Sequence, residues 1–165
     1  MSKTPIVLAS QKSLDRYLCF SLGNQKFAIP LLHVKEVIAD VATTTIPQAP
    51  SHFKGIMNLR GQVISVIDLR LLLKSEKPGK STETTIIILD LSPFSLGVVV
   101  DSVDSVVEYK ESELSPAPDT DSSVKIDYIT GVAKRENVLT LLLDIKAVLN
   151  TEDFRLMKSQ IQKVS

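Results

Sequence analysis

The chain has 165 residues, and its 19 Lys and Arg residues balance 19 Asp and Glu residues, so its formal net charge is zero. This balance disfavours nucleic acid and anionic membrane surfaces as partners, because both require an excess of Lys and Arg. Hydrophobic residues make up 44% of the chain, which predicts a folded domain rather than a disordered segment.

The N-terminal region contains one short apolar run, Ile6 to Ala9. A signal peptide needs about 7–15 apolar residues and a membrane-spanning helix about 18 or more. We therefore expect residues 1–14 to be a flexible N-terminus and the protein to be cytoplasmic. The single cysteine, Cys19, excludes a disulfide within the chain.

Alternating apolar residues predict short strands from residue 17 onward. Residues 17–22 and 27–31 each place their apolar residues on one face, and Gly23-Asn24 between them predicts a tight hairpin turn. Further strands are indicated by β-branched residues at 62–68 and 84–90. Helical spacing predicts a short helix at 69–74 and a longer one from 145 to about 163.

The apolar pattern repeats within the chain. At an offset of 69 residues, Phe20 matches Leu89 and Val34 matches Val103; at an offset of 76, Gly55 matches Gly131 and Asp68 matches Asp144. A repeated unit of 60–70 residues is short for an independent core, so we expect the two units to pack on each other. The alternative is a single sandwich without repeat symmetry.

Each unit provides about five short strands, which suits a small barrel with few free edges. The predicted boundaries are about 15–73 for the first barrel and 84–150 for the second, with an exchange of strands between them left open. Residues 74–82 would form the linker, residues 115–123 a solvated loop and residues 151–165 a C-terminal helical tail.

We find no arrangement of residues that indicates catalysis or a metal site. The two histidines, His33 and His52, have no metal-ligand spacing with Cys19, which is expected to be a buried thiol. Asp68 and Asp144 each follow a strand and precede a helical segment, as N-cap residues do. The sequence therefore predicts no catalytic residue, metal or cofactor, and a protein that acts through its surfaces.

The copies differ at Asn58-Leu59-Arg60-Gly61, for which the second copy has no similar sequence. Gly61 can supply the positive φ of a tight turn. Arg60 could form a forked ion pair with a carboxylate in this chain, with Glu36 as the candidate, or with one in a partner. A solvated arginine on a turn is an equally good interpretation.

Several motifs make the chain resemble the CheW family of chemotaxis coupling proteins. They are Tyr17-Leu-Cys-Phe-Ser-Leu-Gly23, Phe27-Ala-Ile-Pro-Leu-Leu-His-Val-Lys-Glu-Val-Ile38, Phe53-Lys-Gly-Ile-Met-Asn-Leu-Arg-Gly-Gln-Val-Ile-Ser-Val-Ile-Asp-Leu-Arg70, Leu96-Gly-Val-Val-Val-Asp-Ser-Val103 and Tyr128-Ile-Thr-Gly-Val132. The resemblance covers about residues 15–150.

The resemblance implies an all-β fold with short helices, in which two five-stranded SH3-like β-barrels pack together. It implies an adaptor that couples the cytoplasmic tips of chemoreceptors to the regulatory domain of the histidine kinase CheA, with further CheW copies in rings beneath membrane receptor clusters. A groove between the barrels would bind the receptor. We expect the following residues to form it: Val34, Val99 and Val103 in the groove, and Glu36, Val37 and Arg60 on its polar rim, supported by Gly55, Asn58, Leu59 and Gly61 in the motif and turn.

Two alternatives remain at this point. One is a CheW-like scaffold for a different receptor–kinase pathway, such as motility or biofilm control. The other is a small-ligand-binding β-barrel, which the scarcity of His and aromatic residues (5% aromatic) disfavours.

Overall fold

The computed structural model describes residues 16–39, 42–73, 84–117, 128–149 and Arg155. Within these ranges the chain forms eleven β-strands, two short α-helices and two 3₁₀ turns, Leu31–His33 and Glu111–Glu113. The strands are β1 (Arg16–Leu22), β2 (Gln25–Pro30), β3 (Val34–Ala39), β4 (Phe53–Leu59), β5 (Gln62–Asp68), β6 (Thr85–Asp90), β7 (Ser95–Val100), β8 (Ser102–Glu108), β9 (Leu114–Pro116), β10 (Ile129–Arg135) and β11 (Val138–Leu143). The helices are α1 (Leu69–Leu72) and α2 (Ile145–Val148).

The strands form two sheets. The five-stranded sheet has the order β3-β6-β7-β5-β4 and is called the first barrel below; the six-stranded sheet, β8-β1-β2-β11-β10-β9, is called the second barrel. The pairs β5–β7 and β11–β2 are parallel, and the others are antiparallel. The second barrel therefore has one strand more than expected, the three-residue β9.

The internal repeat extends to strand register. Val34 pairs with Leu89 in the first barrel, and the equivalent Val103 pairs with Phe20 in the second. Both ladders shift register immediately after this pair, at equivalent positions. The chain is therefore a structural duplication, in which β3-β6-β7-β5-β4 corresponds to β8-β1-β2-β11-β10.

The two barrels do not follow the predicted division of the chain at 15–73 and 84–150. Strands β1 and β2 of the first half lie in the second barrel, and β6 and β7 of the second half lie in the first. The halves have exchanged their first two strands, which the sequence left open. Strand pairing is a long-range choice, and an alternating apolar pattern fixes the faces of a strand but not its neighbours.

Three hydrophobic clusters result from this arrangement. The largest, called the central core, contains residues of both barrels, among them Phe20, Leu22, Phe53 and Leu89. Each barrel also has a smaller core, which includes Ile86, Ile88 and Val99 in the first barrel, and Cys19, Ala28 and Tyr109 in the second. In β6, Ile87 and Leu89 face the central core whereas Ile86 and Ile88 face the first-barrel core, so the strand is buried on both faces from Ile86 to Leu89.

Both helices are capped as predicted, because Asp68 accepts the amide N–H of Arg70 and Asp144 that of Lys146. The predicted helix from 145 to about 163 is not continuous over its described part. Helix α2 ends at Val148, and Leu149 has extended backbone (φ −83°, ψ 140°). Residues 1–14, 74–82 and, apart from the helical, exposed Arg155, 151–165 lie outside the described residues.

The loop predicted at 115–123 is partly a strand. Ser115 and Pro116 belong to β9, which pairs with β10. The turn-forming composition of this segment does not indicate the pairing. Pro116 is compatible with it because β9 is an outer strand, where a missing N–H is tolerated. Residues 118–127 lie outside the described part of the chain.

Candidate functional site

The β4–β5 hairpin forms the turn that carries Arg60. Leu59 pairs with Gln62, so Arg60 and Gly61 alone form the loop, and both have positive φ (53° and 84°). The side-chain oxygen of Asn58 accepts the amide N–H of Gly61 at 2.8 Å. Two positive φ angles are typical of the tight turns that match strand twist, so the Asn58–Gly61 motif fixes the direction in which Arg60 leaves the barrel.

The guanidinium of Arg60 forms a forked ion pair with Glu36 on β3. Its Nη2 donates to Oε1 at 3.0 Å, and Nη1 donates to Oε2. The sequence left open whether Arg60 is paired or solvated, and the structure pairs it within the chain. Hydrogen bonding to Arg60 lowers the pKa of Glu36 from its ordinary value. Because β3 and β4 are the two outer strands of the sheet, the pair bridges the gap between them.

The Glu36–Arg60 pair lies at the surface. The Arg60 side chain is 71% exposed and that of Glu36 29%. Val37, the next residue on β3, is 41% exposed, and strand alternation points it to the opposite face from Glu36. The exposed ion pair and the exposed apolar side chain thus lie on the same outer strand, a composition suited to protein contacts.

The four predicted valines lie in different environments. Val34 and Val103, equivalent in the repeat, are half-buried and pack against the central core. Val37 is exposed. Val99 is completely buried in the first-barrel core (0% exposed), so the prediction that it lines an open groove is wrong. β7 is covered on both faces, and its continuous apolar run from Leu96 to Val100 is a signal that could have indicated this.

Gly55 has a structural reason for being glycine. Its φ is +145°, and a Cβ placed there would lie 2.2 Å from the carbonyl oxygen of Thr44. Thr44 pairs with Ile56 by two backbone hydrogen bonds. In the second barrel β9 pairs with β10 at the equivalent Gly131, where an added Cβ would lie 2.8 Å from the carbonyl oxygen of Ser115.

The β10–β11 turn is a counterpart of the Arg60 turn that the sequence did not reveal. Glu136 and Asn137 have positive φ (51° and 68°) at the positions equivalent to Arg60 and Gly61. Arg135, one residue earlier, donates to Glu113 at 2.8 and 2.9 Å and to the carbonyl of Glu108 on β8. Each barrel thus has one arginine that reaches from a hairpin to the β3 or β8 edge. Hydrogen bonding to Arg135 is the main reason that the pKa of Glu113 is lowered to about 2.

A second group, for which the sequence gives no local signal, joins the two barrels. Arg70 on α1 donates to Asp68 at 2.8 and 3.0 Å and to Asp101 at 3.0 Å. Asp101 also accepts the amide N–H of Gly23 in the β1–β2 turn of the second barrel. The exposed fractions of the three charged side chains are 14%, 13% and 9%. The alternation of apolar residues carries no signal for such a contact.

Two open cavities lie along the junction between the barrels. One, of about 320 Å³, opens between the end of β2 and α2, and His33 and Lys146 are among its lining residues. The other, of about 380 Å³, lies near the β1–β2 turn. It is lined by Leu73 from the first half of the chain and by Tyr128 from the second. The first touches Leu89, the cross-strand partner of Val34.

Groups that could support chemistry are sparse in the described ranges. Cys19 is buried, with its Sγ 3.4 Å from the Tyr109 hydroxyl, and burial raises the pKa of its thiol. Among the residues that the structure describes, no three His, Cys, Asp or Glu side chains form a metal-binding group. The helices described in this chain include none with the length and apolar character needed to cross a membrane.

Comparison with known proteins identifies relatives of this architecture. The chain is 33% identical over 147 residues to the chemotaxis protein CheW of Bacillus subtilis (strain 168), covering 87% of this chain and 92% of that protein. It is 30% identical over 150 residues to the chemotaxis protein CheW of Klebsiella aerogenes, covering 91% and 90%. The crystal structure of the scaffolding protein TtCheW from Thermoanaerobacter tengcongensis superposes with a TM-score of 0.76 at 29% identity, covering 84% of this chain and 94% of that one.

The solved relative confirms the predicted pair of SH3-like barrels with few short helices. The model of the CheW-like domain matches residues 16–153, close to the predicted limits of 15–150. The duplicated barrels, the shared register and these similarities together show that the chain belongs to the CheW-like family of chemotaxis coupling proteins.

Proposed function

We propose that the protein is a non-enzymatic adaptor that couples the cytoplasmic tips of transmembrane chemoreceptors to the regulatory domain of the histidine kinase CheA. Family membership supports this role. The observation that supports the location of the receptor site is the exposed Glu36–Arg60 ion pair on the same strand as the exposed Val37. An adaptor transmits a signal by binding one joint state of its partners better than another.

The receptor surface in this proposal consists of Val34, Glu36, Val37, Arg60 and Val103. The valines at the junction give an apolar strip, and the ion pair gives a polar rim, as expected for a groove that accepts an amphipathic helix. The opposite faces of the barrels remain for the kinase and for other CheW copies in rings. Recruitment to receptor clusters would place the protein at the membrane without insertion.

Reconstitution tests the function. The full chain, its cognate CheA and a receptor fragment are combined, and kinase autophosphorylation is measured with each component omitted in turn. We expect high activity only when all three are present. Equal activity without the chain would contradict the proposal. Capture of a motility or biofilm receptor instead of a chemoreceptor would assign the adaptor to that pathway.

We predict that Arg60→Ala weakens receptor binding by about tenfold, because a charge-assisted fork is lost at the interface. The side chain is exposed, so the melting temperature should change by no more than about 2 °C. Binding to a receptor fragment is measured by calorimetry, with Lys134→Ala as the control for loss of an exposed cation.

The charge swap Glu36→Arg with Arg60→Glu separates two roles of the pair. It preserves an ion pair within the chain but reverses the charges offered to a partner. We expect the swapped variant to remain impaired. Full recovery of receptor binding would mean that the pair only bridges β3 and the hairpin.

A further inference from the structure

The internal repeat places two different structures at equivalent ends of the central core. In the first barrel, Arg70 fills the space beside α1 and pairs with Asp68 and Asp101. At the equivalent place in the second barrel, Asp144 is retained, Lys146 replaces Arg70, and the 320 Å³ cavity opens beside α2. Leu32, 67% exposed, stands where Asp101 would be. A position filled by an arginine in one half is therefore open in the other.

The cavity has the surroundings that an arginine side chain requires. Its walls are largely aliphatic, with Ile29, Pro30, Leu91 and Leu143 among them, and such walls suit the methylene stem of a long cation. The carboxylate of Asp144 lies at its edge. One oxygen, Oδ1, accepts the amide N–H of Lys146 at 3.1 Å. Within the described part of the chain, the other oxygen has no hydrogen-bond donor.

Two further polar groups, Lys146 and His33, line the same cavity. Both residues are exposed, and among the described contacts only the backbone of Lys146, not its ammonium group, bonds to Asp144. The flexible Lys146 side chain can stay in solvent when another cation approaches Asp144. The lysine therefore does not occupy the place that Arg70 occupies in the first barrel.

We propose that this cavity receives an arginine side chain from a protein partner, and that its guanidinium pairs with Asp144 as the guanidinium of Arg70 pairs with Asp68. The internal copy supplies the geometry, because Arg70 uses Nε and Nη2 to bond both oxygens of Asp68. A leucine would cover Asp144 without pairing it, and a lysine would lack the planar fork.

The cavity adjoins the surface assigned above to the receptor, since Leu89 lines it and pairs with Val34. The placement of the arginine within an array contact rests on the proposed function. The recognition of a guanidinium by the cavity does not, and it can be tested on the protein alone.

The first experiment titrates the full ¹⁵N-labelled chain with N-acetyl-arginine amide and follows backbone amide shifts by NMR. We expect saturable shifts at Thr130 and Lys146, weaker shifts with N-acetyl-lysine amide, and none there with N-acetyl-leucine amide. Asp144→Asn should reduce the affinity about tenfold, because Asn still caps the helix but carries no charge. Glu111→Gln, at an exposed carboxylate outside the cavity lining, should change nothing.

Absence of saturable shifts with the arginine derivative would overturn the proposal. So would an equal response to the leucine derivative, which would make the cavity an apolar site, or an unchanged affinity in Asp144→Asn.

The second experiment fills the cavity from within the chain. The double variant Leu32→Asp, Lys146→Arg rebuilds in the second barrel the ion cluster of the first. It should lose the response to N-acetyl-arginine amide and bind the receptor fragment or the CheA regulatory domain about tenfold more weakly. Unchanged binding of both partners by a folded double variant would overturn the proposal, and Asp144→Asn decides the question if the double variant does not fold. Failure of both partners to bind the wild-type chain would instead count against the proposed function.

Discussion

Three arginines make two kinds of contact in this molecule. Arg60 bridges the outer strands of the first barrel at the surface. In the second barrel Arg135, at the end of β10, reaches the carbonyl of Glu108 on β8, and its guanidinium also lies 5.1 Å from the ring centre of Tyr109. Arg70 is mostly buried and links the barrels through Asp101. The planar fork of the guanidinium serves all three, since it can bond two acceptors at fixed angles.

The Arg135–Glu113 pair predicts a specific pH dependence. The pKa of Glu113 is lowered from 4.5 to about 2 in the folded chain. The stabilisation is therefore complete above about pH 4.5 and is lost as the pH falls toward 2. Glu113→Gln should flatten the dependence of the unfolding free energy on pH between these values, measured by urea denaturation. Glu111→Gln is the control, and parallel curves for Glu113→Gln and wild type would contradict the prediction.

Asp101→Asn should lower the free energy of unfolding by about 2 kcal/mol, because a buried acceptor of the Arg70 guanidinium and of the Gly23 amide loses its charge. Chemical denaturation measures the change. Asp90→Asn, exposed and still able to accept the Ser92 amide, should change it by less than about 0.5 kcal/mol. Equal effects in the two variants would show that the Arg70 cluster does not hold the barrels together.

At the scale of elements, a glycine in β4 and its equivalent in β10 let another backbone segment lie close against the strand. Thr44 lies against Gly55 and β9 lies against Gly131, each segment pairing with the residue that follows the glycine. A strand with a Cβ at that point could not be approached so closely. The repeated glycine is thus explained by packing of segments and needs no role in binding.

We predict that Gly55→Ala destabilises the protein by about 3 kcal/mol, because it combines a positive φ with a clash against backbone. Gly61→Ala has a positive φ of 84° but open space around the added carbon, so it should cost about 1 kcal/mol. Thermal unfolding compares the two variants. A loss of stability in Gly55→Ala no greater than that in Gly61→Ala would show that the close approach of the Thr44 backbone does not require glycine at position 55.

At the scale of the whole molecule, the exchange of β1–β2 for β6–β7 interlocks the two halves of the chain. Each barrel takes strands from both halves, and the central core contains side chains from both barrels. The relative orientation of the barrels is therefore part of the fold itself. A partner that binds both barrels at their junction therefore contacts one continuous fold rather than two loosely linked domains.

This interlocking predicts how fragments behave. Neither residues 1–73 nor residues 84–165 should fold alone. The first fragment lacks two strands of the first barrel and four of the second, and the second fragment lacks three strands of the first barrel and two of the second. Mixed in equal amounts, the two fragments should associate and recover the circular dichroism and NMR dispersion of the intact chain. A folded, monomeric single fragment would show that the strand exchange is not required.

The sequence by itself determined the repeat unit, the strand faces, the two N-caps and the turn at Gly61, because these depend on local periodicity and on backbone preferences of single residues. It also supplied Glu36 as the partner of Arg60, although not the choice between a paired and a solvated arginine. Tertiary structure decided which strands pair and that Arg70 and Asp101 meet. These outcomes depend on contacts between residues far apart in the chain, about which a local pattern carries no information.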